Sequence, residues 1–385
     1  MEPRKRVYLD HNASAPLLPG ARTAMADVLA LTGNPNSVHA EGRALRKHIE
    51  DARTAIARLA GAQTTRAAFT GSATEAITQA IVGAARAGAI DRIITSTGEH
   101  KAVLKAAAAA GVPVNEVALS ADGVIETAAL GKVIADADVA GETVLVAVHW
   151  VNNETGVIQP LDEIEALLAD TQHFLFVDAV QAFGKLPMKF AASRIDMAAV
   201  SAHKIAGPAG VGALFMKARC DKFVLIPGGG QEQGRRGGTE SAALIAGFGK
   251  AAQDLAGAYD LERVSALTDQ VERLIETHAP DAEIFGRRAL RLGTTVNFAV
   301  PGLANATAMI GFDLGGVALS AGSACSSGKV SKSHVLKAMG VADEMAQCAL
   351  RVSLGWTTTE ADIEFFEKVL VGILAQRKSG RGAAA

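Results

Sequence analysis

Val200-Ser201-Ala202-His203-Lys204-Ile205-Ala206-Gly207-Pro208-Ala209 sets a lysine at the end of an apolar run, and the reading of that stretch decides the fold. Residues 195–200 (Ile-Asp-Met-Ala-Ala-Val) predict a buried strand. Gly207-Pro208, with Gly210 and Gly212, forces a turn before a second apolar run from Gly212 to Met216. Lys204 therefore falls on a loop between strands. A lysine held there is partly desolvated, which lowers its pKa and makes a neutral amine available for a Schiff base with an aldehyde. Ser201 and His203 beside it supply donors suited to a phosphate. A lone loop lysine is more often simply solvated, so the weight of the reading rests on what lies around it.

At 385 residues the chain exceeds a single core, which predicts one large domain with a smaller one. Hydrophobic content of 49% with 20% charged residues describes an ordinary globular protein, and a formal net charge of -2 gives no electrostatic reason to expect a membrane or nucleic acid as partner. Small substrates are expected instead. Cys220, Cys325 and Cys348 stand far apart with no C-x-x-C spacing, so neither a disulfide framework nor a zinc site is indicated and a reducing compartment is expected. Met1 to Asp10 carries basic residues without an apolar h-region, and no apolar segment approaches membrane-spanning length, which points to the cytoplasm.

In chain order, the polar turn Asp10 to Pro16 suits the rim of a site. Helices are expected from Pro19 to Leu31 and from about Glu41 to Leu59. Ser72 followed three residues later by Glu75 forms a capping box ahead of a helical run from Ala76 to Ala87. Such a start is an anion site through its free N–H groups and dipole, with the Thr74 hydroxyl at the same place, or else an ordinary capped helix. Strands follow at Arg92 to Thr95, Val144 to Val148 and Phe174 to Val177, with helices at Lys101 to Ala110 and Leu161 to Ala169. His100, Asn153, Asp178 and Lys204 each come just after one of these apolar runs. In an open parallel sheet, ligands gather beyond the carboxyl ends of the strands, so four such residues point to one site in an α/β architecture. The Gly-rich run Pro227 to Thr239 contains neither G-x-G-x-x-G between strand and helix nor a Walker lysine, and is not read as a nucleotide loop.

From about Ala258 a smaller α/β unit is expected: helix Ala258 to Thr277, strand Thr294 to Phe298, helix Ala304 to Phe312, strand Val317 to Ser320, helix Ser333 to Met339, a strand near Arg351 to Ser353 and helix Glu360 to Leu374. Within it, Cys325 is flanked only by small residues in Gly322-Ser323-Ala324-Cys325-Ser326-Ser327-Gly328. A structural cysteine usually has apolar neighbours, as Cys348 does, whereas a Gly/Ser-rich loop leaves a thiol accessible. Cys220 has no such setting.

Taken in order, Ala73-Thr74-Glu75, Glu99-His100-Lys101, Asn152-Asn153-Glu154, Asp178 with Gln181 and Gly184-Lys185, Ser201-x-His203-Lys204, Gly228-Gly229-Gly230-Gln231-Glu232, Gly238-Thr239, Gly322-Ser323-Ala324-Cys325 and Arg351-x-Ser353 span nearly the whole chain. Their series resembles a cysteine desulfurase, a pyridoxal-phosphate enzyme of fold type I in the class V aminotransferase group. The resemblance implies a large domain over residues 15–257, with a mostly parallel seven-stranded sheet between helices. It also implies a small domain of residues 1–14 and 258–385 carrying the cysteine loop 320–331, whose length is similar to the longer-loop division of that family.

The resemblance further implies roles at the matching positions. Lys204 holds pyridoxal 5'-phosphate covalently, Asp178 pairs with the ring nitrogen, Gln181 bonds the ring hydroxyl, and His100 stacks on the ring face and takes part in proton transfer. Ala73, Thr74, Ser201 and His203 bind the phosphate, with Thr239 reaching in from the partner subunit of a homodimer. Arg351, helped by Asn153, grips the substrate carboxylate. Cys325 takes the sulfur of L-cysteine as a persulfide, leaving L-alanine, and passes it to an iron–sulfur scaffold or to another thio-cofactor or tRNA pathway. Beyond a transient iron–sulfur ligand at Cys325, no metal is implied. A selenocysteine lyase, or another class V enzyme of this kind, is the alternative enzyme. A sulfur-transfer scaffold without catalysis is the alternative outside enzymes. The N-terminal loop departs from the family pattern, since it reads His11-Asn12-Ala13-Ser14-Ala15-Pro16 where relatives usually carry two threonines before the proline.

Overall fold

The computed structural model describes residues 6–321 and 332–382. A short strand β1 (Val7–Tyr8) precedes seven strands that form one sheet: β2 (Ala67–Thr70), β3 (Arg92–Ser96), β4 (Val114–Val117), β5 (Val144–His149), β6 (Phe174–Asp178), β7 (Met197–Ser201) and β8 (Gly212–Met216). Their spatial order is β2-β8-β7-β6-β5-β3-β4. Only β8 runs against its neighbours; β7, β6, β5, β3 and β4 pair in parallel. This is the expected mostly parallel seven-stranded sheet.

A sheet covered on both faces needs strands that are apolar on both faces, and β5 illustrates this. Val144, Val146 and Val148 enter the core on one face while Leu145 and Ala147 enter the core on the other, the period-two alternation of a strand. Helices Pro19–Leu29, Ala40–Ala60 and Ala242–Ala258 pack together on the first side. Gly249 permits the close approach of the last two, because a Cβ there would lie 2.4 Å from Ala52 Cα.

The remaining strands, β9 (Glu283–Ile284), β10 (Thr295–Ala299), β11 (Val317–Ala318) and β12 (Ala349–Ser353), surround a second core. Strands β12-β10-β9 are antiparallel, and β1 pairs in parallel with β11. Helices Leu261–His278, Asn305–Gly315 and Glu360–Gly382 pack on them, with Phe298, Phe312 and Phe366 fully buried and the last two stacked at 5.6 Å. From β1 in this second core the chain crosses to the large sheet through Asp10 to Ser14, a route that carries it over the C-terminal ends of β6 and β7.

Among the elements not expected are β2, β4, β9, helix Thr127–Ala140, helix Ala242–Ala258 and the short helix Asp343–Ala346. The helix expected from Ala258 to Thr277 is also corrected. The preceding helix ends at Ala258, Tyr259 is extended, and the Asp260 carboxylate accepts the Arg263 N–H at 2.9 Å to start Leu261–His278. Asp260 is the N-cap signal that fixes this boundary.

Candidate active site

The C-terminal ends of β3, β5, β6 and β7 open on a cavity of about 320 Å³. Strand β7 ends at Ser201, and one 3-10 turn, Ala202–Ile205, brings Lys204 round to its edge. The turn closes by Gly207 N–H donating to Ala202 O at 2.9 Å, with Ala206 in the left-handed region. Lys204 Nζ is half-buried and donates to Asn12 O at 2.5 Å and Ala13 O at 2.8 Å. The polar turn before Pro16 therefore holds the lysine.

Asp178, at the end of β6, is buried, and its Oδ1 accepts the Val180 N–H at 3.0 Å. Burial pushes its pKa up; His100 and His149 oppose that by favouring the charged carboxylate. One turn on, Gln181 Nε2 donates to Asn12 O at 3.0 Å, so one carbonyl oxygen accepts from both Gln181 and Lys204. Lys185 Nζ donates to Gln181 Oε1 at 3.3 Å. Burial, and then the Lys204 charge, bring the pKa of Lys185 down to about 7.

Helix Ala73–Arg86 begins at the cavity wall. Ser72 Oγ accepts the Glu75 N–H at 3.2 Å, half of the expected capping box. The other half differs: Glu75 Oε2 accepts from Gly71 N at 2.8 Å, and Oε1 from Arg236 Nε at 2.8 Å, which ties the Gly-rich run to the helix start. The helix begins at Ala73, three residues earlier than expected. Gly212 makes room for this start, because a Cβ there would meet Ala73 N at 2.8 Å. The first N–H groups of the helix, with their dipole end, are left for an anion. His203 sits beside Lys204 with its pKa depressed to about 4, by burial and then by the lysine charge, so the imidazole is neutral.

His100 caps helix Lys101–Ala108, its Nδ1 accepting the Ala102 N–H at 3.1 Å, and its ring lines the cavity. Arg351 arrives from β12 of the second core, with Nη1 donating to Asn153 O at 2.9 Å and Nη2 to Asp10 Oδ1 at 2.7 Å. Ala73, Thr74, His100, Asn153, Asp178, Gln181, Ser201, His203, Lys204 and Arg351 therefore all line one cavity. Thr239 does not. It is exposed beside a separate cleft with Arg236 and Glu240. Cys325 lies outside the described residues. The chain leading to it runs beside Arg351, since Ser320 N donates to Arg351 O at 3.1 Å and Arg351 N to Ser320 O at 2.6 Å.

The sequence reading passed over two contributors. Asn12 supplies the carbonyl that receives Lys204 and Gln181, a backbone role that no side-chain pattern signals. His149 also lines the cavity, although its place at the end of β5 was the same signal that marked Asp178.

A model of the aminotransferase class-V family matches residues 7–366. The chain belongs to the class-V aminotransferases. These are pyridoxal-phosphate enzymes, and this chain is one of them. Among curated class-V relatives, cysteine desulfurase IscS of Dictyoglomus turgidum is 35% identical over 98% of this chain and 96% of its own. An IscS-like cysteine desulfurase of Mycobacterium tuberculosis is 36% identical over 98% of both. Among solved structures, a NifS-like protein superposes with a TM-score of 0.86 at 31% identity, covering 96% of this chain and 99% of that one. SspA in complex with cysteine gives a TM-score of 0.80 at 30% identity over 91% and 99%.

The class-V cavity of this chain fits that cofactor on its own chemistry. It offers a primary amine, a buried carboxylate with one oxygen already satisfied by Val180, a helix start for the phosphate, and apolar walls from Ile77, Val151 and Val180. No described helix is long and apolar enough to cross a membrane.

Proposed function

We propose that the chain is a cysteine desulfurase that converts L-cysteine to L-alanine, leaves a persulfide on Cys325 and donates that sulfur to iron–sulfur cluster assembly or a related thiolation pathway. The observation that carries the reading is the convergence of Lys204, Asp178 and Arg351, from two different cores, on one cavity of about 320 Å³. Lys204 would hold pyridoxal phosphate through its amine, Asp178 would receive the ring nitrogen, and Ala73, Thr74, Ser201 and His203 would hold the phosphate. Bound there, the cofactor supplies an aldehyde for amines and a ring that withdraws electrons from the substrate α-carbon.

The protein's own residues do the rest. Arg351 offers a planar fork to the substrate carboxylate, and its bonds to Asp10 and Asn153 keep that fork aimed. Lys204 would take the proton from the substrate α-carbon on Nζ. His100 lies within the same cavity to exchange a proton with the leaving sulfur. The Cys325 thiolate then attacks the substrate sulfur. One S–S bond forms and the C–S bond breaks with its electron pair left toward the β-carbon; a proton taken up there and the return of the α-proton from Lys204 complete alanine, so the products balance without an outside oxidant.

The strand pairing of Ser320 with Arg351 brings the chain that leads to Cys325 to the residue assigned to the substrate carboxylate, which supports sulfur transfer over transamination. The sulfur acceptor, the homodimer with Thr239 from the partner subunit, and a cytoplasmic location belong to the same proposal. The test is persulfide on the purified protein after addition of L-cysteine, read by mass spectrometry. Cys325→Ser should abolish it while cofactor binding stays. Full persulfide and alanine yield in that variant would contradict the assignment.

A further inference from the structure

Behind the cavity lies a polar chain that the mechanism above does not use. Ser96 Oγ donates to Glu99 Oε1 at 2.5 Å, and His149 Nδ1 lies 2.8 Å from the same oxygen. Glu99 is fully buried and His149 is 4% exposed. Because Glu99 Oε1 is an acceptor, His149 Nδ1 is a donor. The opposite nitrogen, Nε2, is buried without a hydrogen-bond partner among the described residues, on a ring that lines the cavity. A buried imidazole nitrogen left unmatched costs free energy, so its retention calls for an account.

The sheet supplies one. His149 and Asp178 are register partners on the parallel strands β5 and β6, so their side chains leave the sheet on the same face, toward the same cavity. The charged and titratable groups acting on Asp178 are His100 across the cavity, His149 beside it and Glu99 behind His149. Of these, Glu99 disfavours the ionised carboxylate, and an imidazolium at His149 stands between the two acids. Burial works against the protonated ring of His149, but the charge and hydrogen bond of Glu99, together with the Asp178 charge, outweigh it and raise the His149 pKa.

We infer that His149, clamped by Glu99, is a positioning residue for Asp178: it places a fixed cation beside the carboxylate that receives the cofactor ring nitrogen. This rests on the pyridoxal-phosphate reading of the cavity and assigns it a second layer. His149 does not touch the reacting atoms. It acts by keeping Asp178 an acceptor in a place where burial and Glu99 both work against its charge.

The experiment compares two ligands on cofactor-stripped protein: pyridoxal phosphate, and its analogue with C–H in place of the ring nitrogen. The analogue keeps the aldehyde, hydroxyl and phosphate but offers Asp178 nothing to accept. Wild type, His149→Leu and Glu99→Gln are titrated with each. Glu99→Gln retains the Ser96 contact and volume, so it serves where His149→Leu does not fold.

In either variant the affinity for pyridoxal phosphate is expected to fall about tenfold or more, while that for the analogue changes less than about twofold, since each pKa unit of lost carboxylate character is a factor of ten. Equal losses for both ligands, or no loss for either, would overturn the inference and leave the pair a packing feature. A wild-type protein that binds neither ligand would instead remove the cofactor reading itself.

Discussion

Arg351 donates to Asp10 across 2.7 Å, joining residues 341 positions apart in the chain. The pair ties β12 to the segment that leaves β1, while the second guanidinium branch reaches Asn153 after β5. Arg351 is buried and Asp10 nearly so, with side chains 4% and 19% exposed, so the pair is little screened by water. The residue assigned to the substrate carboxylate is thus held by both cores at once, and its direction depends on how they sit together.

The fork geometry matters more than the charge. Lysine at 351 keeps the cation but cannot span Asp10 and Asn153 in one plane. Arg351→Lys is expected to raise KM for L-cysteine about tenfold or more, since a hydrogen bond to a charged group contributes about 1.5–3 kcal/mol, with pyridoxal-phosphate affinity unchanged. Steady-state alanine release against cysteine concentration, with a cofactor titration alongside, measures both.

The Gly-rich run is anchored by a buried ion pair. Arg53 Nη2 donates to Glu232 Oε1 at 3.0 Å, Arg53 Nη1 bonds Glu232 Oε2, and Glu232 Oε2 also accepts the Phe69 N–H at 2.8 Å. Both side chains are almost fully buried, and Glu232 takes a left-handed φ of 50° to make these contacts. Glu232→Ala leaves the buried Arg53 guanidinium only the half-exposed Glu50 carboxylate as ion partner and the Phe69 N–H unpaired, and should cost about 3 kcal/mol of stability, read from urea unfolding. Loss of less than 1 kcal/mol, on the order of a surface pair, would show the pair to be marginal.

Stability should fall in mild acid. His11 and His203 are both held neutral, with pKa values depressed to about 4 by burial first and then by Lys185 and Lys204 respectively. An unfolded histidine takes up its proton near pH 6.5. The unfolded chain therefore binds more protons than the folded one between those values, and stability drops as pH falls from about 6.5 toward 4. Urea midpoints of cofactor-free protein at pH 7.5 and 5 should show this fall, and His203→Gln should reduce it.

The thiols should separate by reactivity. Cys220 is fully buried and its pKa is raised, by burial first and then by Asp196, so the thiolate is scarce. Cys348 is also buried. Brief alkylation of the native protein at pH 8, read by peptide mapping, is expected to label Cys325 and spare the other two.

Much of the site is legible in the sequence because its side chains follow short apolar runs: Asp178 after Phe174 to Val177, Lys204 just past Val200, His100 past Thr95. A charged residue at the end of a doubly buried strand has few other reasons to be there. The partners are not legible in the same way. Asp10 reaches Arg351 only through the return of β1 to the second core, and the Asn12 carbonyl carries no side-chain signal at all. Helix Thr127–Ala140 escaped notice because it buries only Leu130, Ile134 and Ala137 on an Ala-rich stretch. Strand β4 lies at the sheet edge with Val114 and Glu116 exposed, so it lacks the apolar run that marked its neighbours.

The account stands on which amine takes the aldehyde, and two lysines compete for it. Lys204 lies on the cavity, whereas Lys185 sits behind Gln181 with a pKa near 7 that would suit the same chemistry. Borohydride reduction of the protein loaded with pyridoxal phosphate, followed by peptide mapping, fixes the label irreversibly to the lysine that holds the cofactor. The label is expected on Lys204 and absent from Lys204→Ala; a label on Lys185 in the unaltered protein, or none on either, would contradict the account.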